Sequence, residues 1–150
     1  MNLFDTISED IKKAMLAREK VRLEALRGIK KEFIEAKTAP GAGGELSDDT
    51  AMKILVKMVK QRKESARIYQ ENNRPELAES ELAEAEVIEQ YLPKQLSAEE
   101  LEAELRTIIS ETGATGPKEM GKVMGIASKR LAGRAEGRAI SETVKRLLNS

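Results

Sequence analysis

The sequence predicts an all-α protein: an N-terminal four-helix part with a long antiparallel helical hairpin, then a C-terminal three-helix bundle. Three observations carry this expectation. Apolar residues recur at three- and four-residue spacing through almost every segment, and no stretch alternates apolar and polar residues as a half-buried strand does. Helix caps and breakers punctuate the chain at regular intervals. Charged residues make up 35% of it, above the usual quarter, which suits helices with broad solvated faces.

The first helix carries Leu3, Ile7, Ile11 and Ala14 on one side. After the polar break Arg18-Glu19-Lys20, a second carries Leu26, Ile29, Phe33 and Ala36. Thr38 to Glu45 reads TAPGAGGE, a flexible Pro/Gly connection. Ser47 then caps a third helix whose first turn holds Asp48 and Asp49, where they favour the helix dipole. Its expected apolar face is Met52, Leu55, Val56, Val59 and Ala66. Asn72-Asn73-Arg74 forms a turn, and Pro75 opens a fourth helix where its missing N–H costs nothing. Leu77, Ala85, Ile88 and Leu92 are its expected stripe. The turn is short, so the third and fourth helices should pack antiparallel.

Pro93 stops the fourth helix, and residues 92–96 form a hinge between a domain at 1–92 and another at 97–150. Ser97 with Glu100 is a capping box. The helix it starts carries Leu101, Leu105, Ile108 and Ile109 and ends at Gly113, a left-handed cap. Gly116-Pro117 opens the next helix, which Gly133 ends. The last helix carries Ile140, Val144, Leu147 and Leu148.

Composition narrows the chemistry. With no Cys, disulfides, thiolate metal sites and Cys nucleophiles are excluded, and with no His the commonest general base and metal ligand is gone. Neither a metal nor a cofactor is expected. Carboxylate pairs such as Glu99/Glu102 and Glu84/Glu89 lie in runs of exposed acids with nothing to shift their pKa, and no nucleophile is paired with a base. No catalytic residue is assigned. The N-terminus lacks the apolar core of a signal peptide. No apolar run approaches the roughly 20 residues of a membrane span. The chain reads as soluble and cytoplasmic, with no membrane partner.

Net charge is zero, but it is unevenly spread. From Glu76 to Glu104 ten acids face Lys94 alone, whereas from Gly113 onward eight bases face three acids. Between Lys53 and Arg67 six bases face Glu64. The stripe Lys53, Lys57, Lys60 and Arg67 is expected to pair with the acidic fourth helix. Arg62, at the edge of the apolar face, should find Glu81, Glu84 or Glu89.

The segment Gly116–Arg138 is the most informative. At about 100° per residue, Met120, Val123, Met124, Ala127 and Leu131 share one side, while Lys118, Lys122 and Lys129 fall within about 40° of each other opposite. Gly121 and Gly125 sit beside that basic stripe, each costing roughly 0.5–1 kcal/mol against Ala in a helix interior. Either a polyanion or another helix needs the backbone bare there. Arg130, Arg134 and Arg138 extend the positive region, and the last two flank a turn whose N–H groups suit a phosphate. Gly116-Pro117-Lys118-Glu119-Met120-Gly121-Lys122-Val123 is not a P-loop: Val123 cannot ligate Mg²⁺, Pro117 removes a donor, and no strand precedes it. Nor is Gly41-Ala42-Gly43-Gly44 a dinucleotide fingerprint, since Leu46 replaces the third glycine.

Four blocks in order, Gln61-Arg62-Lys63-Glu64-Ser65, Tyr91-Leu92-Pro93-Lys94-Gln95-Leu96-Ser97, Met120-Gly121-Lys122-Val123-Met124-Gly125 and Gly133-Arg134-Ala135-Glu136-Gly137, resemble the GatB/YqeY family, in its free-standing YqeY-like form. The C-terminal part resembles the tail domain of the B subunit of tRNA-dependent amidotransferase, a carbon–nitrogen ligase with glutamine as amido donor. The resemblance implies two helical domains and a tail that engages tRNA. It implies RNA phosphate contacts at Lys118, Lys122, Lys129, Arg134 and Arg138, with Glu136 where the family more often has Asp. The subunit's catalytic part has no counterpart here. The expectation is therefore a tRNA-binding accessory module that is non-catalytic alone. About five neutralised phosphates would give a salt slope near −4. The alternative is a helical adaptor for an aminoacyl-tRNA synthetase or amidotransferase subunit.

Overall fold

A computed structural model describes residues 2–149. Among them are seven α-helices and no strand: α1 Leu3–Ala17, α2 Lys20–Thr38, α3 Asp48–Glu71, α4 Pro75–Glu89, α5 Ala98–Thr112, α6 Met120–Arg130 and α7 Gly137–Leu148. The fold is all-α. Contacts gather into two compact units, the first ending at Leu92 and the second starting at Pro93.

In the first unit, α1 is capped by the Asn2 side chain, which accepts from the Asp5 amide at 2.8 Å. Arg18 ends α1 in a left-handed conformation, φ 58, and its N–H bonds the Met15 carbonyl. Three glycines with positive φ, Gly41, Gly43 and Gly44, carry the chain from α2 to α3. Ser47 caps α3 through the Thr50 amide at 3.2 Å. α3 and α4 form the expected hairpin around Asn72–Arg74, and α2 packs on both. Ile7, Leu26, Ile29, Phe33, Leu55, Met58 and Ile88 fill the core. At its edge the Tyr91 hydroxyl donates to Asp10 Oδ2 at 2.6 Å, and Arg22 lies 3.8 Å from the same carboxylate.

Several details differ from the sequence expectation. Leu77 is 41% exposed, and Ala78 is buried in its place. Leu92 lies beyond the end of α4 and packs only on the core's edge. Met52 and Val56 are half-buried, whereas Met58 is inside. Arg67 bonds Glu64 and Glu71 of its own helix rather than the acidic α4, and it is Lys63 that reaches Glu89, at 2.7 Å. Exposed pairs of this kind contribute at most about 1 kcal/mol. The carboxylates are not all ordinary either. Burial pushes the Glu84 carboxyl up, against the pull of Arg62, and bonds from Arg106 and Arg146 hold Glu102 down.

In the second unit, the Ser97–Glu100 capping box forms as expected, with both reciprocal bonds present. Gly113 ends α5 with φ 71. Leu105, Ile108, Val123, Leu131 and Val144 are fully buried between α5, α6 and α7. Residues 95 and 96, read from sequence as part of a hinge, are bonded to the α6–α7 loop. The Gln95 side chain donates to the Gly133 carbonyl at 2.5 Å and the Leu96 amide to the Arg134 carbonyl at 2.9 Å.

Candidate nucleic-acid interface

The basic segment divides into two pieces. Pro117–Glu119 is a single 3-10 turn, and the α-helix starts only at Met120. Pro117 fixes its φ and gives up a donor there, which suits the first turn. Lys118 is therefore not on the α6 wheel: a 3-10 turn repeats every three residues rather than 3.6. This corrects the single stripe expected from spacing. Lys122 and Lys129 do share a face of α6, about 20° apart at 100° per residue.

α6 is anchored by its other side. Val123, Ala127 and Leu131 are buried, with Met120, Met124 and Ile126 packed at the margin. The outer side carries a shallow depression lined by Gly121, Lys122, Gly125, Ile126, Lys129 and Arg130. The fold thus assembles five of the residues singled out from sequence in one place. Lys118, Arg134 and Arg138 are not part of that lining. Ile126, the apolar residue of the floor, was not singled out. Its only sequence signal was a position on the wheel between the apolar and basic faces.

The two glycines are informative because no described residue of this unit packs on them. Neither has a positive φ, and a Cβ placed on either meets no atom within 4 Å. Internal helix packing does not account for them. Gly28 is the contrast: a Cβ there would lie 3.3 Å from Nη2 of Arg62, so that glycine makes room for a neighbour within the fold.

The cations differ in availability. Arg130 is tied to Glu111 of α5 at 2.8 Å, and Arg138 to Glu142 at 3.0 Å. Lys122 Nζ donates to the Thr112 carbonyl at 3.2 Å, at the negative end of the α5 dipole, which leaves its other protons for a ligand. Among the described residues, Lys118, Lys122 and Lys129 make no ion pair. The start of α7 is less suited to an anion than its two arginines implied. Glu136 stands at its N-cap, and the Gly133 and Arg134 carbonyls hold residues 95 and 96.

No group of three or more acidic residues among those described is arranged to hold a metal ion. No described helix is long and apolar enough to cross a membrane.

The molecule is thus an all-helical protein of two units, the second displaying an open cationic helix face. The chain belongs to the family described as Yqey-like protein, whose model matches residues 4–148. It is also similar to "Altered inheritance of mitochondria protein 41, mitochondrial" of Clavispora lusitaniae, 36% identical over 77 residues. That match covers 51% of this chain and 44% of the relative, so the chain spans less than half of the relative's length.

Proposed function

We propose that this protein is an RNA-binding accessory module that grips a folded RNA such as tRNA by its phosphate backbone and performs no chemistry alone. The observation that supports this most is the outer face of α6. Two glycines stand bare with no internal reason, beside two lysines that no carboxylate neutralises. A bare helix backbone lets a bulky polyanion come close, and lysine ammonium groups meet phosphate oxygens without reading sequence. Few aromatics are available for stacking unpaired bases, with two Tyr, two Phe and no Trp in the chain. Shape and charge are then the means of recognition. A cytoplasmic location fits a chain in which no described helix can cross a membrane. The mitochondrial label of the relative makes cell fractionation the deciding observation.

The structure lowers the number of free cations, and with it the expected salt dependence. Arg130 and Arg138 already have carboxylate partners. Lys118, Lys122, Lys129 and Arg134 remain without an ion pair among the described residues, so about four phosphates are neutralised and log affinity falls with log salt at a slope of about −3. Filter binding of total tRNA across a salt series measures this directly. Lys122→Glu with Lys129→Glu should weaken binding of every tRNA alike, while Arg138→Gln should change it little. A slope near zero, or an unchanged affinity in the double variant, rules the site out. A helical adaptor for a synthetase or amidotransferase subunit is the second reading. The same depression favours it, because bare glycines also admit a helix. Partner capture that survives nuclease and high salt would select it.

A further inference from the structure

The end of α1 and the start of α2 leave three large apolar side chains in water: Met15, Leu16 and Val21 are 53%, 87% and 51% exposed. One such residue is ordinary, but a cluster marks a contact surface. The cluster is rimmed by positive charge. Between Lys12 and Arg22 the sequence has five bases and one acid; Lys12 pairs with Glu9, and Arg22 with Asp10 and Glu19. Lys13, Arg18 and Lys20 make no ion pair among the described residues. Val21 lines a shallow depression together with Glu19, Lys20, Arg22, Val87 and Gln90.

The chain itself carries the complement of this corner. α4 holds six glutamates and no base. At about 100° per residue, Glu79, Leu82, Glu86 and Gln90 fall within about 80° of one another. All four are exposed, Leu82 at 41%. This acidic, leucine-bearing stripe therefore runs along α4 and ends at Gln90, in the depression beside Lys20 and Val21. Leu82 and Gln90 are about 12 Å apart along the axis at 1.5 Å per residue. Positive and negative apolar patches thus lie side by side on one unit. A two-fold axis between them lays the corner of each copy on the stripe of the other. Opposite charges then pair twice, and the contact closes on itself without forming fibres.

We propose that this face docks a second copy of the chain, the α4 stripe of one copy against the Leu16–Val21 corner of the other. The patches are small and charged, so the dimer forms weakly and reversibly and loosens as salt screens it. This surface belongs to the first unit and does not depend on the RNA reading.

Sedimentation velocity of the full chain, over a series reaching about 100 μM where weak interfaces populate, tests it. The apparent mass should rise from 16.6 kDa toward twice that value and fall back in high salt. Leu16→Glu and Glu86→Lys should each hold the chain monomeric, with helix content unchanged by circular dichroism because both side chains face solvent. Lys20→Glu combined with Glu86→Lys should recover the dimer that either change alone loses. A monomer at every concentration overturns the proposal, as does a dimer that Leu16→Glu leaves intact. So does a monomeric chain that floats with vesicles of mixed phosphatidylglycerol and phosphatidylcholine and loses this on Leu16→Glu, since the corner then serves an anionic lipid surface.

Discussion

Replacing Gly125 with alanine should stabilise the fold and weaken RNA binding in the same molecule. Gly125 lies inside α6 in helical conformation, and an added Cβ meets nothing within 4 Å. The methyl group then costs no strain and removes conformational freedom from the unfolded chain. A helix-interior Gly→Ala change of this kind gains about 0.5–1 kcal/mol. For a unit of this size that raises Tm by about 2–8 °C. The same methyl fills the space through which a phosphate backbone approaches α6. Losing one close polar contact costs about 1 kcal/mol, or a roughly five-fold weaker Kd. Gly125→Leu should weaken binding further while remaining folded. Melting curves by circular dichroism and filter binding at one low salt concentration give both numbers. Higher Tm with unchanged affinity would refute the view that the bare backbone is a contact surface. Lower Tm would show that the glycine serves the fold after all. Gly28→Ala is the control: its Cβ would crowd Arg62 Nη2 at 3.3 Å, so it should alter stability and leave RNA affinity alone.

Tyr91 makes stability sensitive to high pH. Burial, then its bond to Asp10, pushes the phenol up to about 12. The unfolded chain releases that proton near the ordinary value of about 10. Between these values the folded state holds the proton and the unfolded state does not, so stability falls as pH rises from about 10 to 12. Denaturant unfolding across this range should show the decline, and Tyr91→Phe should flatten it. Leu105→Ala removes a fully buried side chain between α5, α6 and α7. The cost of about 2–5 kcal/mol is a large share of the stability of a domain of roughly 60 residues. Calorimetry should show the second unit's transition lost or shifted far down, with α1–α4 still melting as before.

Much of the fold was legible because local chemistry and tertiary demand agree. Ser47, Pro75, the Ser97–Glu100 box and Gly113 mark helix ends by mechanisms that act within four residues. What was not legible depends on neighbours distant in sequence. Alanine and leucine compete for the inner face of α4, which packs on α3, and it is Ala78 rather than Leu77 that is buried there. The wheel carried Lys118 onto α6 because spacing alone does not separate a 3-10 turn from an α-helix. Arg130 looked free because Glu111, its partner, lies 19 residues away on α5. The Arg138–Glu142 pair, by contrast, was visible in its four-residue spacing. The glycines of α6 stood out in the sequence as an unexplained cost. Their exposure removes internal packing from the possible reasons for it.

Amide chemical-shift mapping of the labelled chain during titration with unfractionated tRNA tests the central claim most directly. The largest salt-sensitive changes should cluster at Gly121, Lys122, Gly125 and Lys129, with little change at the equally basic Lys53 and Lys57 of α3. A spectrum in which tRNA leaves α6 untouched, or moves α3 instead, would contradict it.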